Sequence, residues 1–364
     1  MVFSVKENLR TAFMRQGHAC ASLGSPFMGR LMPLIGKRLS GHTGVGARCL
    51  AWAGDVGPSG QSVPLRLAGA LHALVLDGSA PDLAAVYPPH SPCDDQLWSA
   101  VTDALLAHEA RILTWLDRAP QTNEVRRAAA VIAGLWWALG EVGDRPVVLS
   151  EMGASAGLNL ALDSFCVTMN GSVYGPADAA VALTPEWRGH ARPTPHPISV
   201  TDRRAVDLAP LDPASPADRL RLLAYLWPDQ PDRLARTRAA IAVASVRPDA
   251  ADAAPWLARR LSTPKQGALH VVYTTIAAQY FPDETREAIA AHLQKAGMVA
   301  SAEAPLLYLS MEADGGEPGA GLTATLWSGG APRQTRLGRA HFHGDWIEWS
   351  PQAAEEPFYP LFKS

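Results

Sequence analysis

The stretch best suited to chemistry is residues 147–161, VVLSEMGASAGLNLA. Val147–Leu149 is apolar and partly β-branched, which predicts a buried strand. Gly153 and Gly157 then predict a tight turn, and a helix is expected from about Leu158 to Ser164. A glycine turn between a strand and a helix lets the backbone approach a ligand and directs helix N–H groups toward it. The stretch is therefore the first candidate for a ligand site.

Three interpretations of this turn are open. In the first, Glu151, Gly153, Ser155 and Gly157 resemble the first motif of class I S-adenosylmethionine-dependent methyltransferases, an acidic residue followed by two spaced glycines. The resemblance implies that the glycines leave room for the methionine part of the cofactor and that Glu151 meets its cationic amino group. It also places Asn159 at the end of the cofactor-binding turn.

The second interpretation is a nucleophile elbow, because G-x-S-x-G is also satisfied with Ser155 as the nucleophile of a serine hydrolase. It requires a downstream acid and histidine, and His341 and His343 are available. Against it, the helical pattern upstream offers too few strands to precede an elbow. In the third interpretation the turn packs a helix against a sheet and binds nothing. A dinucleotide site is disfavoured, since G-x-G-x-x-G is absent.

Acidic residues downstream favour the first interpretation. A methyltransferase sheet carries an acidic residue after its second strand, for the ribose hydroxyls, and Asp207 follows the predicted strand Ile198–Val206. A second acidic residue is expected near the adenine, and Asp252 suits that place. Each carboxylate is equally consistent with a loop or a helix cap.

Side chains for the methyl acceptor are expected at two further places. Tyr273 lies in the predicted fourth strand, HVVYTTI, and Gln279 follows it. Asn123, Glu124 and Arg127 begin a helix just before the glycine turn. Tyr273 and Glu124 are the candidate bases, and Asn123, Arg127 and Gln279 are candidate substrate contacts. For Asn123 the alternative is an N-cap.

Two further groups of residues have side chains that suit a functional role. Trp227, in the sequence WPDQ, is a candidate to cover a substrate, with a packed core tryptophan as the alternative. His341 and His343 share one face of a predicted strand, but no third ligand accompanies them, so no metal site is predicted. The cysteines form no CxxC pair, which disfavours a disulfide framework or a cysteine zinc site.

The elements that must position these residues change in kind near residue 144. Residues 1–144 have the apolar spacing of helices, and residues 145–364 alternate strand and helix before ending in strands at 306–311, 322–327 and 341–349. We therefore predict a helical N-terminal cap domain and a Rossmann-like, doubly wound methyltransferase-type α/β domain. Asn170-Gly171 predicts a hairpin inside an insertion at about 165–197. The last strands are expected to be antiparallel, with the reversed last pair of methyltransferases.

Composition excludes several classes of partner. The 32 basic and 35 acidic residues give a net charge of −3, which removes the usual electrostatic basis for binding nucleic acid. The longest apolar stretch, 128–140, is too short for a membrane span, and the N-terminus lacks the apolar core of a secretory signal. We expect a cytoplasmic protein with a small-molecule substrate; the oligomeric state is left open.

Across nearly its full length, the chain resembles the bacterial family DUF2332. The segments that carry the resemblance are GSP at 24–26, LRLAGALHALVLDG, TNEV with Arg127, EMGASAGLNL, PEWRG, DLAPLD, LLAYLWPDQ, HVVY, MEADG and the late FHG-W-EW. Arg126 stands where the resemblance leads us to expect glycine. The family is described as methyltransferase-like, which implies a class I methyltransferase-like fold and S-adenosylmethionine as cofactor. It implies neither an acceptor nor that the fold is catalytic, so a non-catalytic binding protein is a further alternative.

Overall fold

The computed structural model describes residues 5–58 and 60–353. Its α-helices are α1 (Val5–Ser22), α2 (Pro26–Arg38), α3 (Gly44–Leu50), α4 (Val63–Leu76), α5 (Pro81–Ala84), α6 (Asp94–Ala107), α7 (Glu109–Leu116), α8 (Ala128–Val142), α9 (Pro216–Ala224), α10 (Pro231–Val243), α11 (Ala253–Arg260) and α12 (Asp283–Gly297). Its strands are β1 (Val147–Met152), β2 (Phe165–Met169), β3 (Ser172–Tyr174), β4 (Val181–Leu183), β5 (Glu186–Arg188), β6 (Val200–Asp207), β7 (Asp249–Ala250), β8 (Leu269–Thr275), β9 (Leu306–Glu312), β10 (Ala320–Trp327), β11 (Arg333–Ala340) and β12 (Trp346–Ala353). Short 3-10 helices cover Val125–Arg127, Leu158–Ser164 and Ala278–Tyr280. None of these helices combines the length and apolar character needed to cross a membrane.

The chain forms two compact units. The first comprises Met1–Thr122 and Ala214–Ala235, and the second comprises Asn123–Pro213 and Arg236–Ser364. This division differs from the boundary at residue 144 that the sequence suggested. It places α8 with the strands and α9 with the N-terminal helices, because each helix packs against elements distant in sequence.

Helices build the first unit throughout its described residues. The central helix α4 packs against α1, α7 and α9, since its residues are apolar around most of its circumference. Gly69 allows the close approach of Tyr225, because a Cβ at Gly69 would lie 2.5 Å from the Tyr225 Cε1 atom. Trp227 is 7% exposed and belongs to the apolar core of this unit.

The second unit is built on a nine-stranded sheet with the order β5-β12-β11-β10-β9-β8-β1-β6-β7. β1 is parallel to β6 on one side and to β8 on the other, and β7 and β9 extend the parallel part. The chain first builds outward from β1 through β6 to β7, and then returns to β8 and β9 on the other side. In doubly wound sheets such a reversal opens a crevice outside the carboxyl ends of the strands. The α/β layout expected from the sequence is thus confirmed.

Helices cover both faces of this sheet. Met152 of β1 and Tyr308 of β9 pack with α11 and α12 in one apolar core. On the opposite face, α8 approaches β9 so closely that a Cβ at Gly134 would lie 2.6 Å from the Leu309 Cδ1 atom. Met152 faces α11 and α12, and successive side chains of a strand point to opposite faces of the sheet. Its neighbour Glu151 therefore lies on the α8 face.

The last strands are antiparallel, as expected, but they do not form the reversed pair of methyltransferases. β10, β11 and β12 each pair with the strand that precedes them. The short connections 328–332 and 341–345 force this meander. The strand predicted at 341–349 was wrong in its first half: residues 341–345 form a turn, and β12 begins at Trp346. The strand β11, RQTRLGRA, was missed because its charged residues mask the period-two pattern.

The insertion contains the predicted hairpin. Asn170 and Gly171 connect β2 and β3 with φ values of 52° and 79°, the positive pair that a type I′ turn requires. β4 joins β2 in a small sheet, whereas β5 pairs with β12 at the edge of the main sheet. Part of the segment expected as an insertion therefore belongs to the main sheet.

Two predicted helices take a different form. The helix expected over 97–116 is interrupted at His108, between α6 and α7. The helix expected over 158–164 is a 3-10 helix, bent at Ala161. Neither change moves the glycine turn from its place between β1 and this 3-10 helix.

Candidate functional site

Glu151 occupies the carboxyl end of β1, at the reversal point of the sheet. It lies opposite Ala205 of β6 and Tyr273 of β8. The Glu151 side chain is 2% exposed, and the Tyr273 hydroxyl donates a hydrogen bond to its Oε2 atom at 3.2 Å. Burial raises the pKa of Glu151 from 4.5 to about 8, and the Asp207 charge adds to the rise; the Tyr273 hydrogen bond and the Arg127 charge oppose it. The carboxyl group is therefore mostly protonated at neutral pH.

The glycine turn is tightly fixed against neighbouring strands. Gly153, Ser155 and Gly157 have φ values of 68°, 55° and 69°. A Cβ at Gly153 would lie 2.5 Å from the Ala277 Cβ, in the loop after β8. The Gly153 and Ala154 N–H groups both donate to the Val206 carbonyl of β6. Glycine is needed at position 153 because a side chain there would clash with Ala277. The left-handed backbone also favours glycine at both Gly153 and Gly157.

Asp207 ties this turn to the end of β6. Its Oδ2 accepts a hydrogen bond from the Ser155 N–H at 2.8 Å, and its Oδ1 accepts one from the Ala209 N–H at 2.9 Å. The Leu211 N–H donates in turn to the Ser155 carbonyl. A carboxylate oxygen has capacity for more than one hydrogen bond, so Asp207 can still accept from a ligand hydroxyl.

Asn123 and Glu124 reach the far end of the same turn. The Asn123 Oδ1 accepts from the Leu158 N–H at 3.0 Å, and the Asn159 Nδ2 donates to the Glu124 carbonyl at 3.3 Å. Asn123 is therefore not the helix N-cap that the sequence offered as an alternative. That place belongs to Glu124, whose carboxylate accepts from the Arg126 N–H.

Arg127 braces two segments at the carboxyl edge of the sheet. Its Nη1 donates to the Thr275 carbonyl at the end of β8, and its Nε donates to the Phe342 carbonyl in the turn before β12. Its charge also lowers the pKa of Glu151 and of Glu312. Arg127 thus provides positive charge near both carboxyl groups, although each pKa stays above its usual range.

Glu312 is the residue of this edge that the sequence analysis did not single out. It is buried at the end of β9, and both carboxylate oxygens accept from the Ala277 N–H at 3.1 Å. Burial raises its pKa. The residue before Ala277 is Ile276, a β-branched residue with a φ of 53°. Such backbone persists only where its surroundings impose it. In the sequence, Glu312 lies in the segment MEADG, one of those that carry the family resemblance, and this was the feature that could have identified it.

Three candidate residues make no described side-chain contact with Glu151, Asp207 or the glycine turn. Asp252 caps α11, with Oδ1 accepting from the Ala254 N–H and Oδ2 accepting from the Thr285 hydroxyl. The helix-cap alternative thus accounts for its observed contacts. Gln279 is exposed in the 3-10 helix after β8. Trp227 is a core residue of the first unit.

Tyr273 is poorly suited to the role of base. It is fully buried, and burial together with the neighbouring Glu151 carboxyl raises its pKa well above 10. Its hydroxyl therefore keeps its proton at neutral pH and acts as a donor. Its observed role is to hold the Glu151 carboxyl.

The histidines that a hydrolase would need lie in the turn before β12, not on one face of a strand. His341 Nδ1 contacts the Asp345 carboxylate at 2.8 Å and accepts from the His343 N–H. Arg126, which replaced an expected glycine, has ordinary 3-10 backbone and pairs with Asp345. Among the described residues, no group of three or more His, Cys, Asp or Glu is arranged to hold a metal ion.

Comparison with known proteins identifies the family of this chain. No curated protein and no solved structure matches the chain. A family model described as "Uncharacterized protein conserved in bacteria" matches residues 10–349. Because this match covers almost all of the 364 residues, the chain belongs to the DUF2332 family.

Proposed function

We propose that the second unit binds S-adenosylmethionine at the carboxyl edge of its sheet and transfers the methyl group to a small-molecule acceptor. The observation that carries the proposal is Glu151. A buried carboxyl group at the reversal point, with a phenol hydroxyl as its described hydrogen-bond partner, is costly to ionise. A cationic ligand group beside it would remove that cost, and the amino group of S-adenosylmethionine is such a cation.

The residues present fit this cofactor in two further respects. The glycine turn follows β1 directly, at the place where doubly wound sheets bind ligands. Asp207 ends the adjacent strand β6 and retains lone pairs for the ribose hydroxyls. The adenine contact of Asp252 belongs to the same proposal, as does a methyltransferase-type interpretation of the parallel strands β6, β1, β8 and β9, but not of the meander β10–β12. For Asp252 a ligand would have to share oxygens that already serve the α11 cap.

S-adenosylmethionine supplies a methyl group on a sulfonium, ready for transfer to a nucleophile. The task of this chain is then alignment, with removal of a proton where the acceptor must lose one. Tyr273 and Glu151 would hold the amino end, and Asp207 would hold the ribose. Arg127 and Glu312 would keep the loops around the acceptor in place. Of the two candidate bases, Glu124 alone stays in the proposal, because Tyr273 cannot release its proton at neutral pH.

Titration calorimetry with S-adenosylmethionine and with its demethylated product, S-adenosylhomocysteine, tests this proposal. We expect binding by the wild type and at least a tenfold loss for Glu151→Gln. The matched control is Glu287→Gln, an exposed residue of α12, which should bind as the wild type does. Absence of wild-type binding at millimolar concentration would overturn the proposal. Binding without turnover across a panel of acceptors would instead support the non-catalytic alternative.

A serine hydrolase is the second candidate, and one observation favours it. Ser155 has left-handed backbone in a turn directly after a strand, as a nucleophile elbow requires a strained corner. However, β1 is the first strand among the described residues, so the strands that precede an elbow are missing. The Ser155 N–H is also committed to Asp207.

A further inference from the structure

A second polar cleft lies in the sheet-containing unit, away from the glycine turn. It has a volume of about 510 Å³. The charged side chains that line it are Arg204, Arg259, Arg260, Lys265 and Asp249. Its volume lies within the range of small-molecule sites, about 300–1,000 Å³. The cleft is therefore large enough for an organic molecule and not only for a single ion.

The fold places this cleft along the outer flank of the sheet. Helix α11 starts just after β7, at the carboxyl edge, and ends at Arg260. The loop that carries Lys265 then leads into the amino end of β8. The cleft thus extends toward the amino edge of the sheet, whereas Glu151 and the glycine turn belong to the carboxyl edge.

A free strand edge forms part of this flank. β7 pairs with β6 only at Val206 and Asp207, so the described strands leave the earlier residues of β6 unpaired on that side. Arg204 lies in this unpaired part. Backbone N–H groups at a sheet edge contribute to anion-binding concavities. The Thr263 hydroxyl in the lining adds a further donor, whereas the Ser262 hydroxyl already donates to the Arg259 carbonyl at 2.8 Å.

Arg260 is already engaged in the wall of the cleft. Its Nη1 pairs with Asp202 at 2.7 Å, and its Nε donates to the Ser150 hydroxyl at 2.9 Å. That hydroxyl also contacts the Nε2 of the buried His270 at 2.9 Å. Arg260 thus fixes the wall to β1, β6 and β8 and is the least available of the cations.

Three cations remain for a ligand. The side chains of Arg204, Lys265 and Arg259 make no hydrogen bond or close ion pair with the described residues, and Arg204 and Arg259 are exposed.

The positive field of these cations acts on the groups around them. Burial raises the pKa of Asp202, but the Arg260 hydrogen bond and the charges of Arg260, Lys265 and Arg204 bring it below its usual value. Burial lowers the pKa of His270 to about 3, and Arg260 and Lys265 add to that shift.

The negative groups at the cleft are fewer. Asp202 is neutralised by Arg260. Asp249 accepts a hydrogen bond from the Trp256 Nε1 at 2.8 Å, which holds its carboxylate against α11. The cations therefore outnumber the carboxylates in a chain whose net charge is −3.

We propose that this cleft binds a small molecule that carries a phosphate group. Guanidinium groups suit phosphate because their planar donors match two oxygens at once, and a lysine adds a point charge. The phosphate lies against Arg204, Lys265 and Arg259, and the remaining volume accepts the organic part. The −3 net charge disfavours a nucleic acid as the occupant.

Titration calorimetry with inorganic phosphate, ribose 5-phosphate and ribose tests the proposal and separates free phosphate from a phosphate ester. We expect ribose 5-phosphate to bind more tightly than phosphate, and ribose not to bind. The variant Arg204→Ala/Lys265→Ala should weaken the ester at least tenfold. The control Arg238→Ala/Lys295→Ala changes the net charge equally on α10 and α12, and should change affinity less than twofold.

Several outcomes would overturn the proposal. These are no binding of either phosphate compound, equal weakening by both double variants, or an ester no tighter than inorganic phosphate. Tighter binding of a 20-nucleotide RNA than of the ester would assign the cleft to a different class of partner. Glu151→Gln should leave ribose 5-phosphate binding unchanged, which separates this proposal from the proposed function. If the double variant unfolds, Lys265→Glu alone provides the same comparison.

Discussion

Replacement of Glu151 by glutamine should make the protein more stable as the pH rises, relative to the wild type. The folded-state pKa of Glu151 is about 8, against 4.5 for the ordinary carboxyl group. Between these values the folded protein holds a proton that the unfolded chain has lost. Wild-type stability should therefore fall as the pH rises through this window, by about 1.4 kcal/mol per pH unit. Above pH 8 the loss is complete.

Glutamine has no proton to lose and keeps an oxygen that can accept from the Tyr273 hydroxyl. From pH 5.5 to pH 7.5, the free energy of unfolding of Glu151→Gln should therefore rise by about 2–3 kcal/mol relative to that of the wild type. Burial also raises the pKa of Glu312, but this residue is present in both proteins, so its contribution cancels in the stability difference. Hydrogen exchange of the β1 amides, measured at three pH values, reports the stability of the unit that contains Glu151.

The control is Glu287→Gln, which should follow the wild type at every pH. If Glu151→Gln and the wild type lose stability in parallel, the carboxyl group is ionised in the folded protein. The argument for a cationic ligand would then lose its basis. If the prediction is correct, ligand binding by the wild type should also release a proton. Affinity for S-adenosylhomocysteine should then rise with pH by up to about tenfold per unit and level off above pH 8.

Three further predictions concern the turn itself. Gly153→Ala should cost about 2–4 kcal/mol, because it combines left-handed backbone with a clash at Ala277; thermal unfolding should show partial rescue in Gly153→Ala/Ala277→Gly, and no rescue would argue against the clash. Asn123→Ala should cost about 1–2 kcal/mol and speed exchange of the Leu158 amide, since that N–H loses its acceptor, whereas Asn123→Asp should preserve protection. A fluorophosphonate probe should not label Ser155, and Ser155→Ala should keep its affinity for S-adenosylhomocysteine; labelling at Ser155 would favour the hydrolase.

Most of the elements that position the site could be predicted, because each is marked by residues close together in the sequence. The strand β1, the glycine turn and the strand β8 are marked by apolar runs bounded by turn residues. Asp207 could be identified because it ends a recognisable strand. These features depend on neighbours in sequence, which is the information that periodicity and turn chemistry contain.

The features that could not be predicted depend on contacts between residues far apart in the sequence. Glu312 matters because it accepts from the Ala277 N–H, 35 residues earlier in the chain. Arg127 braces the Thr275 and Phe342 carbonyls, and nothing in the sequence near Arg127 marks either partner. The division into two units has the same cause, since α9 joins helices from which nearly a hundred residues separate it.

Asp207 and Asp252 show why a sequence can locate a site without assigning its residues. Asp207 ends β6 and Asp252 comes just after β7, and the sequence alone is equally consistent with a ligand contact or a cap for each. The Asp207 carboxylate joins the loop after β6 to the glycine turn, so a ligand on that turn would meet it. The Asp252 carboxylate joins the start of α11 to Thr285 of α12, so its position serves helix packing. The difference lies in the second partner of each carboxylate, which only the fold supplies. Glu151 differs from both, because its carboxyl group is buried with the Tyr273 hydroxyl as its described hydrogen-bond partner, and a cationic ligand group would offset the cost of ionising it.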